Sequence, residues 1–330
     1  MRRREFIRLL ANTVVAWPLV GQAQSPVSPV IGFLSSASPQ NYADSLGSFR
    51  RGLRGMGYVE GQNVGIDYRW AEGQNDRLPE LAAELVRLRV TVIAAIGTPS
   101  TLAAKAATSA APTVPIIFAV AVNPVEVGLV ASLSRPGGNL SGVTNLNEEV
   151  GPKRLELVHE LLPAVTSVAV LVNPTNRVLA EAFAHDVQSA AGILGLKLHV
   201  LRASSEHELE GVFASLAKLR AGALIICPDV FFNERVEELA ALGLRYAVPT
   251  VYQYRPFAAA GGLLSYGSDE TEWYRLIGAY TGRVLKGERP ADLPVQQVTK
   301  VKLIANLKAA KAHGLTIPEP VLARADEVIE

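Results

Sequence analysis

Short apolar segments of β character alternate with amphipathic helical patterns along almost the whole chain, and this alternation constrains the fold more than any other feature. Val30 to Leu34 is a predicted strand, and Leu46, Phe49 and Leu53 follow at helical spacing. The further predicted strands are 64–70, 91–96, 116–120, 167–172, 197–201, 223–227, 250–252 and 262–265. The further predicted helices are 76–85, 100–110, 124–133, 155–162, 178–194, 206–219, 233–246, 273–285 and 303–313. Such alternation predicts an α/β fold with parallel sheets covered by helices on both faces.

The length of the chain predicts two domains. The 307 residues that follow Ala23 in the 330-residue chain exceed the usual size of one hydrophobic core. Hydrophobic residues make up 49% of the sequence and aromatic residues 6%, a composition that suits buried parallel strands and helices rich in Ala, Val and Leu. Because the βα pattern repeats in the second half, we expect two similar lobes, each a doubly wound α/β domain.

The N-terminal residues have the three parts of an export signal. Arg3-Arg4, a spacer, Phe6-Ile7 and Arg8 resemble the twin-arginine pattern, and a short apolar run from Leu9 to Val20 follows. Gly21-Gln22-Ala23 supplies the small residues of a cleavage site. The apolar run is too short for a stable membrane anchor. We therefore expect residues 1–23 to be a removable signal, by the twin-arginine or the general secretory route, with a frayed helix on a cytosolic protein as the alternative.

The single cysteine limits where the exported chain can reside. Cys227 has no partner for an intramolecular disulfide, and no cysteine near the cleavage site could carry a lipid. A free exported protein is retained where an outer membrane closes the compartment, which predicts the periplasm. Cys227 ends the apolar run 223–226, so we expect it to be a buried core residue.

The charge balance argues against a polyanionic partner. The chain has 32 Lys+Arg and 31 Asp+Glu, of which residues 1–23 hold four Arg and one Glu, which leaves 28 basic and 30 acidic residues. A net charge of −2 disfavours nucleic acid or an anionic membrane as the main partner.

Polar side chains follow most predicted strands, where open parallel sheets bind ligands. A carboxylate would fit the free amides and hydroxyls at Thr98 and Ser100, and Asp229 could pair with an amine. Tyrosines near the ends of later strands could supply flat walls with a polar tip. The candidate ligand-binding residues are Ser35, Ser36, Thr98, Ser100, Asn123, Asn173, Asp229, Tyr254 and Tyr266. Helix capping by the small polar residues, and ordinary packing of the tyrosines, are the alternatives.

Sequence signals for catalysis are weak. The sequence has no G-x-S-x-G, H-E-x-x-H or Walker motif, and no G-x-G-x-x-G after a predicted strand. None of the five histidines lies at a predicted strand end. We therefore expect neither an enzyme nor a metal or cofactor site.

Several segments resemble the ABC-transporter substrate-binding family that includes tryptophan/tyrosine-binding members. The similar segments are 31–35, 57–64, 68–73, 123–125, 135–139, 142–144, 171–174, 293–297, 306–312 and 314–318. The resemblance covers about residues 30 to 330. It implies a type I periplasmic binding protein fold, in which two lobes joined by three crossovers close on a ligand. We place the crossovers near Gly142–Thr144, Thr250–Tyr252 and Pro294–Thr299, with lobe 1 formed by 30–143 plus 253–293 and lobe 2 by 144–250 plus 299–330.

The resemblance also implies a function. The leading hypothesis is a monomeric binding component of an ABC importer, which captures a small organic solute and delivers it to an inner-membrane permease. The solute would be similar to an amino acid and could be aromatic. The alternatives are an exported ligand sensor that docks on a membrane receptor and an exported hydrolase. The sequence leaves the identity of the ligand, the permease and the oligomeric state open.

Overall fold

The computed structural model describes residues 28–110, 114–145 and 150–330. The predicted signal at 1–23 therefore lies outside the described residues. No helix in the described part of the chain is long and apolar enough to cross a bilayer.

Two parallel-dominated α/β lobes make up the structure. The first half of the chain contains β1 (Val30–Ser35), α1 (Ala43–Gly55), β2 (Gly65–Trp70), α2 (Leu78–Arg87), β3 (Val92–Ile96), α3 (Thr98–Thr108), β4 (Ile116–Val120), β5 (Leu140–Thr144) and α4 (Gly151–Leu161). The remainder contains β6 (Ser167–Val172), α5 (Arg177–Leu194), β7 (Lys197–Arg202), α6 (Glu206–Leu219), β8 (Leu224–Ile226), α7 (Val230–Asn233), α8 (Val236–Arg245), β9 (Thr250–Tyr252), α9 (Arg255–Ala259), β10 (Leu264–Ser268), α10 (Glu270–Leu285), β11 (Gln296–Gln297), β12 (Val301–Asn306), α11 (Leu307–Ala312), α12 (Glu319–Leu322) and β13 (Glu327–Ile329). The predicted fold class is confirmed.

The first sheet has six strands in the order β11-β5-β4-β3-β1-β2. Its neighbouring strands are all parallel. Every residue of β3 and β4 is buried, as expected for central strands with helices on both faces.

The second sheet has seven strands in the order β13-β12-β10-β9-β8-β6-β7. Here β12 pairs antiparallel with β10, so that Ser265 lies opposite Ile304 and Gly267 opposite Lys302. Opposed residues of an antiparallel pair share one face of the sheet. The side chains of Ser265, Ile304 and Lys302 therefore lie on a common face, together with Gly267.

Helices α1 and α10 pack at very short range and fix the base of the first lobe. A Cβ atom on Gly52 would lie 2.0 Å from the Arg275 carbonyl oxygen, and one on Gly278 would lie 2.0 Å from that of Phe49. Only glycine permits this approach, which places the middle of α10 beside α1.

The chain passes between the sheets after β5, after β10 and after β11. The first and third passages lie close to the predicted positions. The prediction of a crossover at Thr250–Tyr252 is wrong, because these residues form β9, which pairs with β8 and β10 inside the second sheet. The chain leaves the second sheet only after Ser268, where α10 begins against α1. By sheet membership, residues 253–268 lie with the second lobe rather than with lobe 1.

Two predicted helices are also wrong. Residues 124–133 form turns, because the side chain of Asn123 accepts a hydrogen bond from the Val125 amide and the Pro124 carbonyl accepts from Leu129. The predicted helix 303–313 is divided between β12 and α11. A short apolar run does not distinguish a strand from a buried helix, and pairing with β10 decides the outcome.

Candidate functional site

A small cavity lies where the carboxyl ends of the two sheets face each other. Its volume is about 30 Å³, and both lobes line it. The first lobe contributes Thr98, Asn145 and Trp273, and the second contributes Asn176 and Asp229, among others. We call it the central cavity.

The start of α3 supplies hydrogen-bond donors to the central cavity. Gly97, at a φ of 87°, turns the chain from β3 into this helix, which places Thr98 in its first turn. The Oγ atoms of Thr98 and Ser100 are buried and have no hydrogen-bond partner among the described residues. Free backbone amides and the helix dipole favour an anion at such a position. The first-lobe side of the cavity is therefore suited to a carboxylate.

Asp229 supplies the negative charge on the opposite side. Its Oδ1 accepts from Asn173 Nδ2 at 2.8 Å and from the Phe231 amide at 3.0 Å, and its Oδ2 accepts from Asn176 Nδ2 at 2.8 Å. Burial raises the pKa of Asp229, and these three hydrogen bonds oppose the rise. No Lys or Arg among the described residues forms a salt bridge with it. A ligand ammonium would supply the missing positive charge.

Aromatic side chains form part of the cavity wall. Tyr254 is 4% exposed, and its hydroxyl accepts a hydrogen bond from Asn145 Nδ2 at 3.5 Å. The indole Nε1 of Trp273 is buried and has no partner among the described residues. Burial raises the pKa of Tyr254 well above its usual value, so the phenol stays neutral and can donate a hydrogen bond.

A wider opening between the lobes is strongly acidic. This acidic mouth, about 570 Å³, is lined by Asp44, Glu234, Glu237, Glu238 and Glu270 against one cation, Arg235. Glu234 Oε1 accepts from the Ser38 amide of the other lobe at 2.5 Å. Burial raises the pKa of Glu270 to about 7.

A second opening has an apolar lining. It measures about 360 Å³ and includes Leu78, Pro99 and Leu102. At its edge Asn75 Nδ2 donates to Thr175 Oγ1 at 3.0 Å, which links the two lobes directly.

The structure distributes the predicted ligand-binding residues unevenly. Thr98, Asp229 and Tyr254 line the central cavity, Ser100 lies in the first turn of α3, and Asn173 holds Asp229. Ser35 Oγ accepts from the Ala37 amide, while Ser36 Oγ donates to Asn75 at 2.6 Å.

Asn123 and Tyr266, like Ser35, Ser36, Ser100 and Asn173, are not among the residues that line the central cavity. The side chain of Asn123 accepts from Val125 and donates to Glu126 at 2.7 Å. The half-buried Tyr266 side chain packs against hydrophobic core residues.

The sequence reasoning overlooked several lining residues. Asn145 directly follows β5, so the strand-end rule could have identified it. Asn176 caps α5, and Gln253 follows β9. Nothing in the sequence identifies Trp273 as a cavity residue, because an apolar residue in a helix is typical of the core.

Arg154 is a further buried charge close to the site. It is 0% exposed, and its Nε donates to the Tyr266 carbonyl at 2.8 Å. Its two Nη atoms have no partner among the described residues. Burial lowers the pKa of Arg154 to about 10, and its charge lowers the pKa of Tyr254.

Comparison with known proteins shows a consistent relationship. The model of a family described as "ABC transporter substrate binding protein" matches residues 30–329. A tyrosine-binding protein of Clostridioides difficile (strain R20291) is 27% identical over 282 residues, covering 84% of this chain and 80% of that protein.

Solved structures agree with the sequence comparison. A conserved domain protein from Vibrio cholerae is 27% identical with a TM-score of 0.81, covering 91% of this chain and 99% of that chain. An ABC domain from Streptococcus pneumoniae, in complex with L-Trp, is 26% identical with a TM-score of 0.79, and the match covers 92% of this chain and 100% of that chain. A periplasmic binding protein/LacI transcriptional regulator from Alkaliphilus metalliredigens, 10% identical with a TM-score of 0.57 and covering 84% and 97%, shares the fold.

Proposed function

Since the chain belongs to the family of ABC transporter substrate-binding proteins, we propose that it captures an amino acid, with an aromatic side chain, between its lobes and delivers it to a permease. The similar proteins named for tyrosine and crystallised with L-Trp support this choice of ligand. In this proposal the chain is a non-enzymatic, monomeric protein of the periplasm, exported by the signal at 1–23.

One observation carries the proposal. Thr98 at the start of α3 and Asp229 at the start of α7 line one cavity, although they belong to different sheets. An amino acid has a carboxylate and an ammonium, and this cavity offers a hydroxyl and helix amides on one side and an unneutralised carboxylate on the other. We assign the ligand carboxylate to Thr98 and Ser100, and the ammonium to Asp229.

Three further predicted residues would support these contacts. Asn173 would orient Asp229, and Tyr254, with Trp273, would contact the aromatic ring by its face or edge. Ser36 would act through Asn75 at the edge between the lobes.

The size of the central cavity implies that the lobes must separate for binding. Pockets for small ligands commonly measure about 300–1,000 Å³, whereas the central cavity measures about 30 Å³. The acidic mouth and the apolar opening adjoin it, so a small rotation about the three crossovers would join them. Contacts made from both lobes would then favour closure over the ligand.

Isothermal titration of the mature chain tests the proposal. L-Trp and L-Tyr should bind saturably, whereas tryptamine, without a carboxylate, and indole-3-propionate, without an amine, should bind at least about tenfold more weakly. Asp229→Asn should weaken L-Trp binding by a similar factor. Asp186→Asn, on the outer helix α5, is the matched control and should leave binding unchanged. No saturable binding across the proteinogenic amino acids would refute the proposal.

A further inference from the structure

A fourth cavity lies beside the passage from β10 to α10. Neither Thr98 nor Asp229 lines it, but it shares Tyr254 with the central cavity and Glu270 with the acidic mouth. It measures about 360 Å³, and residues in the segments 253–256, 265–271, 302–304 and 326–327 line it. We call it the hinge-side cavity. Ser265, Gly267, Lys302 and Ile304 share the face of the second sheet that forms its floor. A Cβ atom on Gly267 would lie 2.4 Å from the Gln253 carbonyl oxygen, so glycine is needed for this close approach.

The hinge-side cavity has excess negative charge. Its charged lining residues are Asp269, Glu270, Asp326 and Glu327 against Arg255 and Lys302. Lys302 pairs with Asp269 at 2.9 Å, and Arg255 pairs with Glu327 at 2.6 Å. Both cations are therefore already neutralised.

Two carboxyl groups of the lining have no paired cation among the described residues. Asp326 is exposed to solvent and accepts a backbone hydrogen bond from Leu303 at 2.8 Å. Within the described part of the chain, Glu270 accepts a hydrogen bond from Ser45 Oγ at 3.4 Å and has no other. Holding the partly buried Glu270 carboxylate without a countercharge costs free energy, which a cationic ligand would recover.

One buried hydroxyl supplies an independent sign of a ligand. Ser265 is 1% exposed, lines the cavity and lies on the face of the sheet that forms its floor. Its Oγ atom has no hydrogen-bond partner among the described residues. Buried polar atoms are normally satisfied, so a ligand that accepts or donates a hydrogen bond here would complete this group.

We propose that the hinge-side cavity is a second binding site, for a small organic ammonium ion with a short apolar body. The ammonium donates hydrogen bonds to the Glu270 carboxylate and to the Ser265 hydroxyl. Tyr254, Pro256 and Ile304 supply the apolar wall. A hydroxyl and one carboxylate without a paired cation suit an ammonium better than a metal ion, which requires several converging anionic ligands.

Titration with 2-phenylethylammonium tests this second site, and neutral 2-phenylethanol serves as the control ligand. The ammonium should bind the full mature chain, and the alcohol should bind at least about tenfold more weakly, the loss expected without a charge-assisted hydrogen bond. Glu270→Gln should reduce ammonium affinity by a similar factor. Ser265→Ala, which removes the hydroxyl on the cavity floor, should reduce it by about threefold or more and keeps the test valid if Glu270→Gln folds poorly.

Asp229→Asn separates this site from the central cavity. It should leave 2-phenylethylammonium binding unchanged while weakening L-Trp binding, and Ser265→Ala should do the reverse. If the ammonium does not bind, or if Asp229→Asn abolishes its binding while Glu270→Gln does not, the hinge-side site is refuted. Failure of L-Trp to bind would refute only the function proposed for the central cavity.

Discussion

Thr98 and Asp229 line the same cavity between the lobes, although 130 positions separate them and each follows a strand of a different sheet. The Thr98 hydroxyl has no hydrogen-bond partner among the described residues, whereas the Asp229 carboxylate accepts three hydrogen bonds. One side of the cavity thus has unused hydrogen-bonding capacity, and the other has a fixed charge. This asymmetry gives a ligand with an acid and an amine a single orientation.

Thr98→Val should raise stability and lower affinity. The substitution removes a buried hydroxyl without a protein partner, so the free energy of unfolding should rise by about 1 kcal/mol. Binding of L-Trp should weaken by about tenfold because a contact to the ligand carboxylate is lost. Urea denaturation and isothermal titration measure the two effects.

The matched control lies three residues further along α3. Thr101 Oγ1 donates to the Gly97 carbonyl at 2.9 Å, so Thr101→Val should lower stability and leave the ligand contact intact. If Thr98→Val also lowers stability, its hydroxyl has a structural role and the assignment to the ligand is wrong.

Gly278→Ala should destabilise the first lobe strongly. The new Cβ atom would lie 2.0 Å from the Phe49 carbonyl oxygen, so α1 and α10 would have to separate. We expect a loss of about 3 kcal/mol or more in the free energy of unfolding, measured by urea denaturation. Ligand binding should also weaken, because α10 carries Trp273 into the central cavity.

Gly192→Ala provides the comparison in an open helix position. No atom lies within 4 Å of a Cβ atom at this position of α5. Alanine there should stabilise the protein by about 0.5–1 kcal/mol through reduced backbone entropy of the unfolded chain. If Gly278→Ala and Gly192→Ala changed the free energy of unfolding by similar amounts, the close packing of α1 against α10 would be contradicted.

The rule that ligands meet parallel sheets at their carboxyl ends explains which site residues the sequence could predict. Thr98 lies two residues after the end of β3, and Asp229 lies three residues after the end of β8, so their positions could be read from the strand pattern. Asn123 also follows a strand, but its side chain is used in a turn with Val125. Strand-end position therefore selects candidates, and local hydrogen bonding decides which of them remain available.

The path of the chain between the lobes is harder to predict from sequence. Residues Leu263 and Leu264 would fit the core of either lobe, because apolar character does not specify a sheet. Only the pairing of β10 with β9 and β12 places them in the second sheet. Glu270 was overlooked for a similar reason, since an acid in the first turn of a helix is ordinary. Its burial depends on the crossover that follows β10.

Thr175→Val should shift the protein toward an open arrangement of the lobes. It removes the hydroxyl that accepts from Asn75 Nδ2 across the apolar opening and donates to Asn173 Oδ1 at 2.8 Å. Loss of the hydrogen bond between the lobes, together with the bond to Asn173, which holds Asp229, should weaken ligand affinity by about two- to fivefold. Small-angle scattering should show a larger radius of gyration without ligand and the wild-type value at saturation. Thr316→Val, on the surface after α11, should change neither the ligand affinity nor the radius of gyration. If the radius of gyration of Thr175→Val without ligand equals that of the wild type, Thr175 has no role in closure.

Glu270→Gln should stabilise the protein at high pH and have little effect at low pH. Burial raises the pKa of Glu270 from 4.5 to about 7, so the folded protein binds this proton more tightly than the unfolded chain. The stability associated with the protonated group is complete below pH 4.5 and is lost as the pH rises through 7. At pH 8 the neutral glutamine avoids this loss, which amounts to at most about 3 kcal/mol. Thermal and urea unfolding between pH 4 and pH 8 measure the difference.

Glu272→Gln, two positions along α10, should show the opposite sign. Pairing with Arg275 at 2.6 Å lowers the pKa of Glu272, so its contribution is present above pH 4.5 and is lost as the pH falls. Because the pair is half exposed, the effect should be only a few tenths of a kcal/mol. Asp44 and Asp269, which also raise the pKa of Glu270, are unchanged in both variants. A stability difference for Glu270→Gln that is the same at pH 5 and pH 8 would show that this carboxyl is not held uncompensated at the hinge.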